Sequence, residues 1–351
     1  MRKHQNFRIF KGRISFLVDQ KALATIFILL LVMTGVFIFS TGTGEMKISP
    51  INVVKVFFGG GSDMEQLVVQ SFRLPRIIVS LMVGIGLAVA GGILQGIIRN
   101  PLASPDILGI TGGASVAVVG FLAIFSDESN ALTVSIQWLP VAAFAGATII
   151  AFLVYFLSWK DGVSPIRLVL IGIGIYSLMK ALTTLMMLLG PIYQASQANI
   201  WITGTVYGSN WSNVAILVPW IIVLCCVAFI LARNINIQEL GDDIATGVGS
   251  NVQRYRFLLL MVSTALIGGS VAFAGGIGFV GLMAPHMARR MVGSSFGALL
   301  PASALIGGIL VMIADLIGRT LFSPLEIPAG VFTASIGAPY FIYLLFKTRN
   351  G

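Results

Sequence analysis

Uncharged apolar stretches recur along the chain, and the charged residues collect in the short intervals between them. ALATIFILLLVMTGVFIFSTGTG lies between Lys21 and Glu45, and Arg76–Arg99, Asp106–Asp127, Arg290–Asp315 and Glu326–Lys347 each enclose one more such run. Crossing the hydrocarbon core of a bilayer takes roughly 20 apolar residues of helix. Longer charge-free stretches, Glu128–Lys160, Lys180–Arg233 and Arg256–Arg289, have room for a span plus loops or a partial helix. The pattern predicts an all-α integral membrane protein with about ten transmembrane helices. The expected spans are 22–40, 77–97, 107–125, 138–158, 167–189, 214–232, 257–275, a shorter one near 279–291, 299–317 and 328–346. Residues 1–21 form a basic tail, 22–346 a single transmembrane domain and 347–351 a short C-terminus.

Composition reinforces this. Of 351 residues 57% are hydrophobic and 10% charged, and the mean hydropathy is +0.96. A soluble core of this length does not need uncharged runs so long. The first span follows a basic segment, MRKHQNFRIFKGR, but is too long for a secretory signal and lacks a convincing small-residue cleavage pattern, so it is read as a retained helix. The net charge of +9 does not indicate nucleic acid, because Lys and Arg sit between apolar runs as the positive-inside rule expects. An even number of spans with both termini in the cytoplasm places only Lys47, Lys55, Arg73, Arg76 and Arg319 outside, with Lys180 inside a span. The expected location is the cytoplasmic membrane, multi-pass, in contact with lipid.

Chemistry-bearing patterns are sparse. Cys225 and Cys226 are adjacent, too cramped for an ordinary disulfide, and are read as small packing residues. His4 and His286 are isolated, so no metal site is expected, and no cofactor either. HExxH, G-x-S-x-G and the G-x-x-x-x-G-K-[ST] phosphate loop are all absent, so the chain is not read as an enzyme and has no Walker motif for ATP. Energy for active transport must come from another chain or from an ion gradient. The second option needs ionisable groups deep in the bundle. Lys180 falls 13 positions after Arg167, roughly 20 Å along a helix; snorkelling toward the outer face is favoured over a pathway role. Asp315 precedes Arg319 by one turn, in the order that favours an intrahelical pair.

Two features concern organisation. AGGILQGIIRNP (90–101) and AGGIGFVGLMAP (274–285) share AGGI at one end and Pro at the other, on spans expected to run in opposite directions. Such an echo points to an inverted internal repeat, common in transporters. The segment IQELGDDIATGVGSNVQRYR (237–256) concentrates five charges within twenty positions. Asp242 and Asp243 suit the start of a short helix, Gly247 or Gly249 can stop it, and Arg254 and Arg256 can anchor the seventh span at the headgroups. From these residues alone a plain wet loop is an equal reading.

The stretch RLPRIIVSLMVGIGLAVAGGILQGIIRNPLASPDILGITGGA (73–114) resembles the FecCD family, the permeases of ABC importers for iron(III)-siderophores, haem and vitamin B12. The similarity continues through ANIWITGTVYGSNW (198–211), LGDDIATGVGSNVQRYR, GGIGFVGLMAPHMARRMVG (275–293) and ADLIGRTLFSPLEIPAGVFTASIGAPYFIYLL (314–345). It covers nearly the whole chain after about residue 60, in matching order.

The resemblance implies the type II importer permease fold. Its implied partners are a second permease subunit, a cytoplasmic ABC ATPase dimer and an extracytoplasmic substrate-binding (lipo)protein. It assigns 233–256 to ATPase coupling, with Leu240, Gly241, Asp242, Ala245, Gly247 and Gly249 in the docking stretch. Arg73, Arg76 and Arg319 match positions that receive carboxylates of the binding protein, a task for which the planar guanidinium fork is suited; the alternatives are interfacial anchoring and pairing with Asp315. Asn100 and Leu102 match positions that narrow the inner exit, although Pro101 alone would break the helix there. Two departures stand out: the loop GVSPIR (162–167) replaces a small hydroxyl-rich loop, and Lys180 replaces a small or apolar residue. The expected function is permease of an iron(III)-siderophore ABC importer, with vitamin B12 or haem as alternative cargo and an ion-coupled secondary transporter as the rival of another class.

Overall fold

In lipid an uncharged run satisfies its backbone by closing into a helix. The computed structural model, which describes residues 4–9, 14–126, 132–190 and 192–349, places a helix on each of the ten expected spans. They are Gln20–Gly42 (α1), Leu74–Ile98 (α2), Ile110–Ile124 (α3), Leu139–Leu157 (α4), Pro165–Leu189 (α5), Trp211–Glu239 (α6), Val252–Ala274 (α7), Val280–Val292 (α8), Phe296–Thr320 (α9) and Ala329–Arg349 (α10). Among the described residues, seven helical stretches are long and apolar enough to cross a membrane, whereas α3 and α8 have only 15 and 13 residues. Ahead of α1 the basic tail carries a short antiparallel hairpin, His4–Ile9 (β1) against Ile14–Asp19 (β2), the only strands among the described residues. Asp19 caps α1 by accepting the Lys21 amide at 2.9 Å.

The helices alternate in direction between two ends of the bundle. At one end, hereafter the arginine end, the start of α2 meets the finish of α1 and α9, where Arg319 donates to Thr43 O at 2.6 Å. At the opposite end, the Asp242 end, α2 and α6 finish and α7 and α9 begin; Phe296 N donates to Asn236 Oδ1 at 2.9 Å. By this alternation α1 begins and α10 finishes at the Asp242 end, the common side expected for both termini.

Helix α2 is the axis, packed against α6, α7, α8 and α9, and its glycines carry the closest approaches. A Cβ at Gly91 would overlap the Gly281 carbonyl of α8, and one at Gly84 would overlap the Gly307 carbonyl of α9. Without a hydrophobic drive between helices in lipid, such backbone contact supplies the packing. Helix α1 is peripheral, with 11% of its most apolar window buried.

The inverted repeat shows in the order of elements. Helices α2 and α7 run antiparallel, and each is followed by a stretch that leaves the α-helix and re-enters the bundle, Arg99–Gly109 (with one 3-10 turn at Pro105–Leu108) and Gly275–Phe279, before a short helix sets off from mid-depth. The first re-entrant stretch meets the start of α8 at Gly281, where a Cβ would stand 2.9 Å from both Leu87 O and Pro105 Cδ. The AGGI echo is not the register of that symmetry. Residues 90–98 are unbroken helix, while in the second copy only Ala274 is helical and 275–279 are the break itself, with Gly275 at φ +67° and Phe279 at +66°. Gly91 faces Gly281, whereas a Cβ at its counterpart Gly275 would overlap the Trp201 carbonyl, so the matched glycines both permit close backbone contact but with different partners.

Candidate functional site

Helix α6 outlasts its apolar run. Ala228, Ala232, Ile235 and Gln238 are all buried at helical spacing, so packing carries the helix through polar Asn234 and Asn236 to Glu239. Gly241 then turns the chain at φ +114°, ψ +154°, a conformation essentially reserved for glycine. Asp242–Gly247 forms one short helix with Asp242 and Asp243 in its first turn. Gly249, at φ +81°, ends it while the Ser250 amide bonds back to Ala245 O at 3.0 Å; Gly247 is the last helical residue. Asn251 caps α7 by accepting the Arg254 amide at 3.1 Å.

Two faces of this segment differ sharply. Ala245 is fully buried against the bundle, whereas Leu240, Ile244 and Val248 are 63%, 54% and 66% exposed. Three large apolar side chains are thus left exposed around the Gly241 turn and the short helix. Exposed apolar clusters of this kind mark contact surfaces. Leu240 was among the expected docking residues; Ile244 and Val248 were not, and their exposure follows from the Gly241 turn and the burial of Ala245.

Asp242 joins three loops. Its Oδ1 accepts from Arg256 Nη2 at 2.8 Å and from Arg99 Nη2. Arg99 closes α2 in the left-handed conformation, φ +56°, and its Nε donates to Gln238 O at 2.8 Å. Arg256 also donates to Val163 O in the α4–α5 loop, and the Val163 amide donates to Gln253 Oε1 at 2.9 Å. The expected headgroup anchor Arg256 is therefore wholly buried: a counter-ion and a carbonyl lie within reach inward, and Arg254 alone is left at the surface. Burial pushes the Asp242 carboxyl up, but the hydrogen bonds and charges of Arg256 and Arg99 outweigh it, and the net displacement is downward. A depressed carboxylate stabilises the folded joint above its unfolded pKa and loses that contribution only as pH falls through the folded value. The stability that this joint contributes is expected to persist below the ordinary carboxylate range, and Asp242→Asn should flatten the acid limb of the unfolding-temperature profile.

The expected gate residues adjoin this joint through Arg99. Asn100 Oδ1 accepts the Leu102 amide at 2.9 Å, and the Ala103 amide bonds to Asn100 O at 3.0 Å. Beyond them the chain dives inward to Pro105–Leu108, where Asp106 accepts from the Thr111 hydroxyl at 2.8 Å. In GVSPIR, Ser164 caps α5 by accepting the Arg167 amide at 3.4 Å.

Arg73, Arg76 and Arg319 do gather at the arginine end, around a cleft of about 340 Å³ that also contains Glu45 and Glu326. Their guanidinium groups are engaged within the chain. Arg73 donates to Thr41 O and Met46 O, and Arg319 donates to Thr43 O and Ser40. Asp315 pairs with Arg319 as expected, its carboxylate 3.7 Å from Arg319 Nε, and also accepts a closer fork from Arg76, with Nη2 at 2.8 Å and Nε at 3.0 Å. Arg76 also holds Glu326, at 2.9 Å. Removing one partner of a buried pair strands the other. Asp315→Ala is expected to cost about 3–5 kcal/mol, seen as a lowered unfolding temperature of the purified protein, and Arg76→Met with Asp315→Leu should recover most of it.

Among the described residues no cluster of three metal-ligating side chains occurs. Cys225 and Cys226 are both free.

Known proteins align over almost the whole chain. The model of the FecCD transport family matches residues 28–347. The "Probable siderophore transport system permease protein YfhA" of Bacillus subtilis (strain 168) is 59% identical over 332 residues, 95% of this chain and 97% of the relative. The "Iron(3+)-hydroxamate import system permease protein FhuG" of the same organism is 44% identical, over 94% and 98%. Among solved structures, an inward-facing conformation of a metal-chelate type ABC transporter superposes with a TM-score of 0.82 at 30% identity, covering 93% of this chain and 99% of that one.

Proposed function

The chain belongs to the FecCD transport family, and from that premise we propose that it is the membrane-spanning subunit of an ABC importer carrying an iron(III)-siderophore. The observation that carries the mechanism is the short helix Asp242–Gly247, apolar outward at Leu240, Ile244 and Val248 and tied inward through Asp242. The Asp242 end faces the cytoplasm, in line with the distribution of basic residues. The exposed triad, together with Gly241, Ala245, Gly247 and Gly249 that shape it, docks on a separate ATPase. Movement of that helix passes through Arg99 to Asn100 and Leu102 at the inner exit, and through Arg256 to the α4–α5 loop. The chain itself carries out no covalent chemistry and hydrolyses no ATP.

A second permease completes the pathway. An extracytoplasmic binding protein meets the arginine end, where its carboxylates compete with half-exposed Glu326 for Arg76 and approach Arg73 and Arg319. The test is reconstitution in proteoliposomes with the ATPase, the partner permease and the binding protein. Ferric-siderophore uptake is expected to need all of them and ATP. Uptake driven by an ion gradient with this chain alone would overturn the reading, and uptake of haem or vitamin B12 in place of ferric chelates would reassign the cargo.

A further inference from the structure

Lys180 is a charge that neither the packing nor the coupling joint uses. It lies in α5, 13 residues beyond Arg167 and nine before Leu189, so its Cα stands roughly 20 Å from one end of the helix and 13 Å from the other. The side chain is exposed. Helical Cα–Cβ bonds tilt toward the N-terminus. The Lys180 stem therefore leaves the backbone toward the middle of the bundle and away from the nearer, arginine end, which works against snorkelling.

The surroundings of Lys180 are not those of a lipid-facing lysine. Leu168, Gly172, Met179 and Thr183 form the buried face of α5. Next to that face, Tyr176, Ser177, Lys180 and Thr184 are exposed polar side chains around one exposed apolar residue, Ile173. The opposite exposed flank carries Leu178 and Leu185, which suit lipid. Charged residues at this depth face a bundle interior or a water-filled space. The deep carboxylates are committed elsewhere, Asp106 to Thr111 and Asp315 to Arg76 and Arg319. Among the described residues no acidic side chain forms an ion pair with Lys180.

We propose that Lys180 lines an aqueous translocation pathway and selects for ferric chelates of net negative charge, those whose ligands leave carboxylate or catecholate charge on the complex. The inference rests on the importer function above and adds the charge class of its cargo. An ammonium with no counter-ion in the chain attracts an anionic complex as it passes and repels a cationic one.

The experiment uses the full transporter in cells lacking other iron uptake, supplied with radioactive iron as ferric citrate or a ferric tris-catecholate, both anionic, or as cationic ferrioxamine B. Wild type is expected to import an anionic chelate, Lys180→Met to lower that uptake about tenfold, and Lys180→Arg to retain it. Unchanged uptake in Lys180→Met, or wild-type import of ferrioxamine B alone, overturns the charge selection while leaving the importer intact. Import of no ferric chelate at all overturns both. A second variant guards against misfolding: Lys180→Cys in a chain carrying Cys225→Ser and Cys226→Ser, treated with a methanethiosulfonate bearing an ammonium group. The thiolate reacts only where water reaches it. Labelling with recovered uptake is expected, and an unreactive thiol in the assembled transporter sinks the pathway assignment.

Discussion

Gly91→Val is expected to remove the permease from the membrane fraction altogether, while Gly35→Val leaves its amount unchanged. Both glycines lie inside helices. At Gly35 a Cβ meets nothing within 4 Å, but at Gly91 it overlaps the Gly281 carbonyl oxygen and crowds the Gly281 carbonyl carbon and Cα. Overpacking a core normally costs about 1–3 kcal/mol because side chains can shift rotamer. Here the obstacle is main chain on α8, held by the re-entrant stretch that precedes it, and no rotamer can yield. With a total stability of about 5–15 kcal/mol, separating α2 from α8 disconnects the central helix of the fold. The measurement is membrane-integrated protein by immunoblot, followed by size-exclusion of the detergent extract. Normal yield and a sharp peak for Gly91→Val would contradict the packing described.

Asp242→Ala is expected to leave the permease assembled and to lower ATP-driven uptake about 100-fold, the factor that a loss of about 3 kcal/mol at the joint implies. Arg256 is fully buried, and without Asp242 its charge keeps only Val163 O. The short helix then loses its tie to α2 and α7, so its movement no longer reaches Asn100 and Leu102. Asp242→Asn keeps an acceptor without the charge and should fall in between. Arg256→Lys should not substitute, because a single ammonium cannot span Asp242 and Val163 as the planar fork does. Ala245→Trp approaches the same failure from beneath, by lifting a residue with no exposed surface. Gly241→Val acts differently: a Cβ there has free space, and the cost is the φ of +114°. The signature in each case is ATP hydrolysis no longer linked to uptake, measured in parallel in the same proteoliposomes. Full uptake by Asp242→Ala would reduce the segment to a plain connecting loop.

The legible part of this protein follows from solvent. Each expected span fell on a helix, because a run that must sit in hydrocarbon shows its length and its lack of charge. Errors clustered where packing takes over from solvent. Helix α6 was expected to end at 232 and continues to Glu239, since Ile235 and Gln238 are buried by neighbours from other parts of the chain. The echo of AGGI was visible, yet one copy is helix and the other a break, because identical small residues allow close contact without dictating backbone conformation.

Charge pairing was the least legible. The spacing of Asp315 and Arg319 predicted the local pair that forms at 3.7 Å, but not the closer hold from Arg76, 239 residues away. Arg256 stood where a headgroup anchor belongs and turned inward. Sequence alone determined that the chain spans a membrane about ten times, lacks a phosphate loop and carries one polar segment past its middle, because each is a property of a contiguous stretch. Only the tertiary structure decided which charges meet, that three loops converge on Asp242, and which side of α5 presents Lys180. Those contacts join residues brought together by helix packing, and in a bundle the backbone approaches at its glycines set which side chains come within reach.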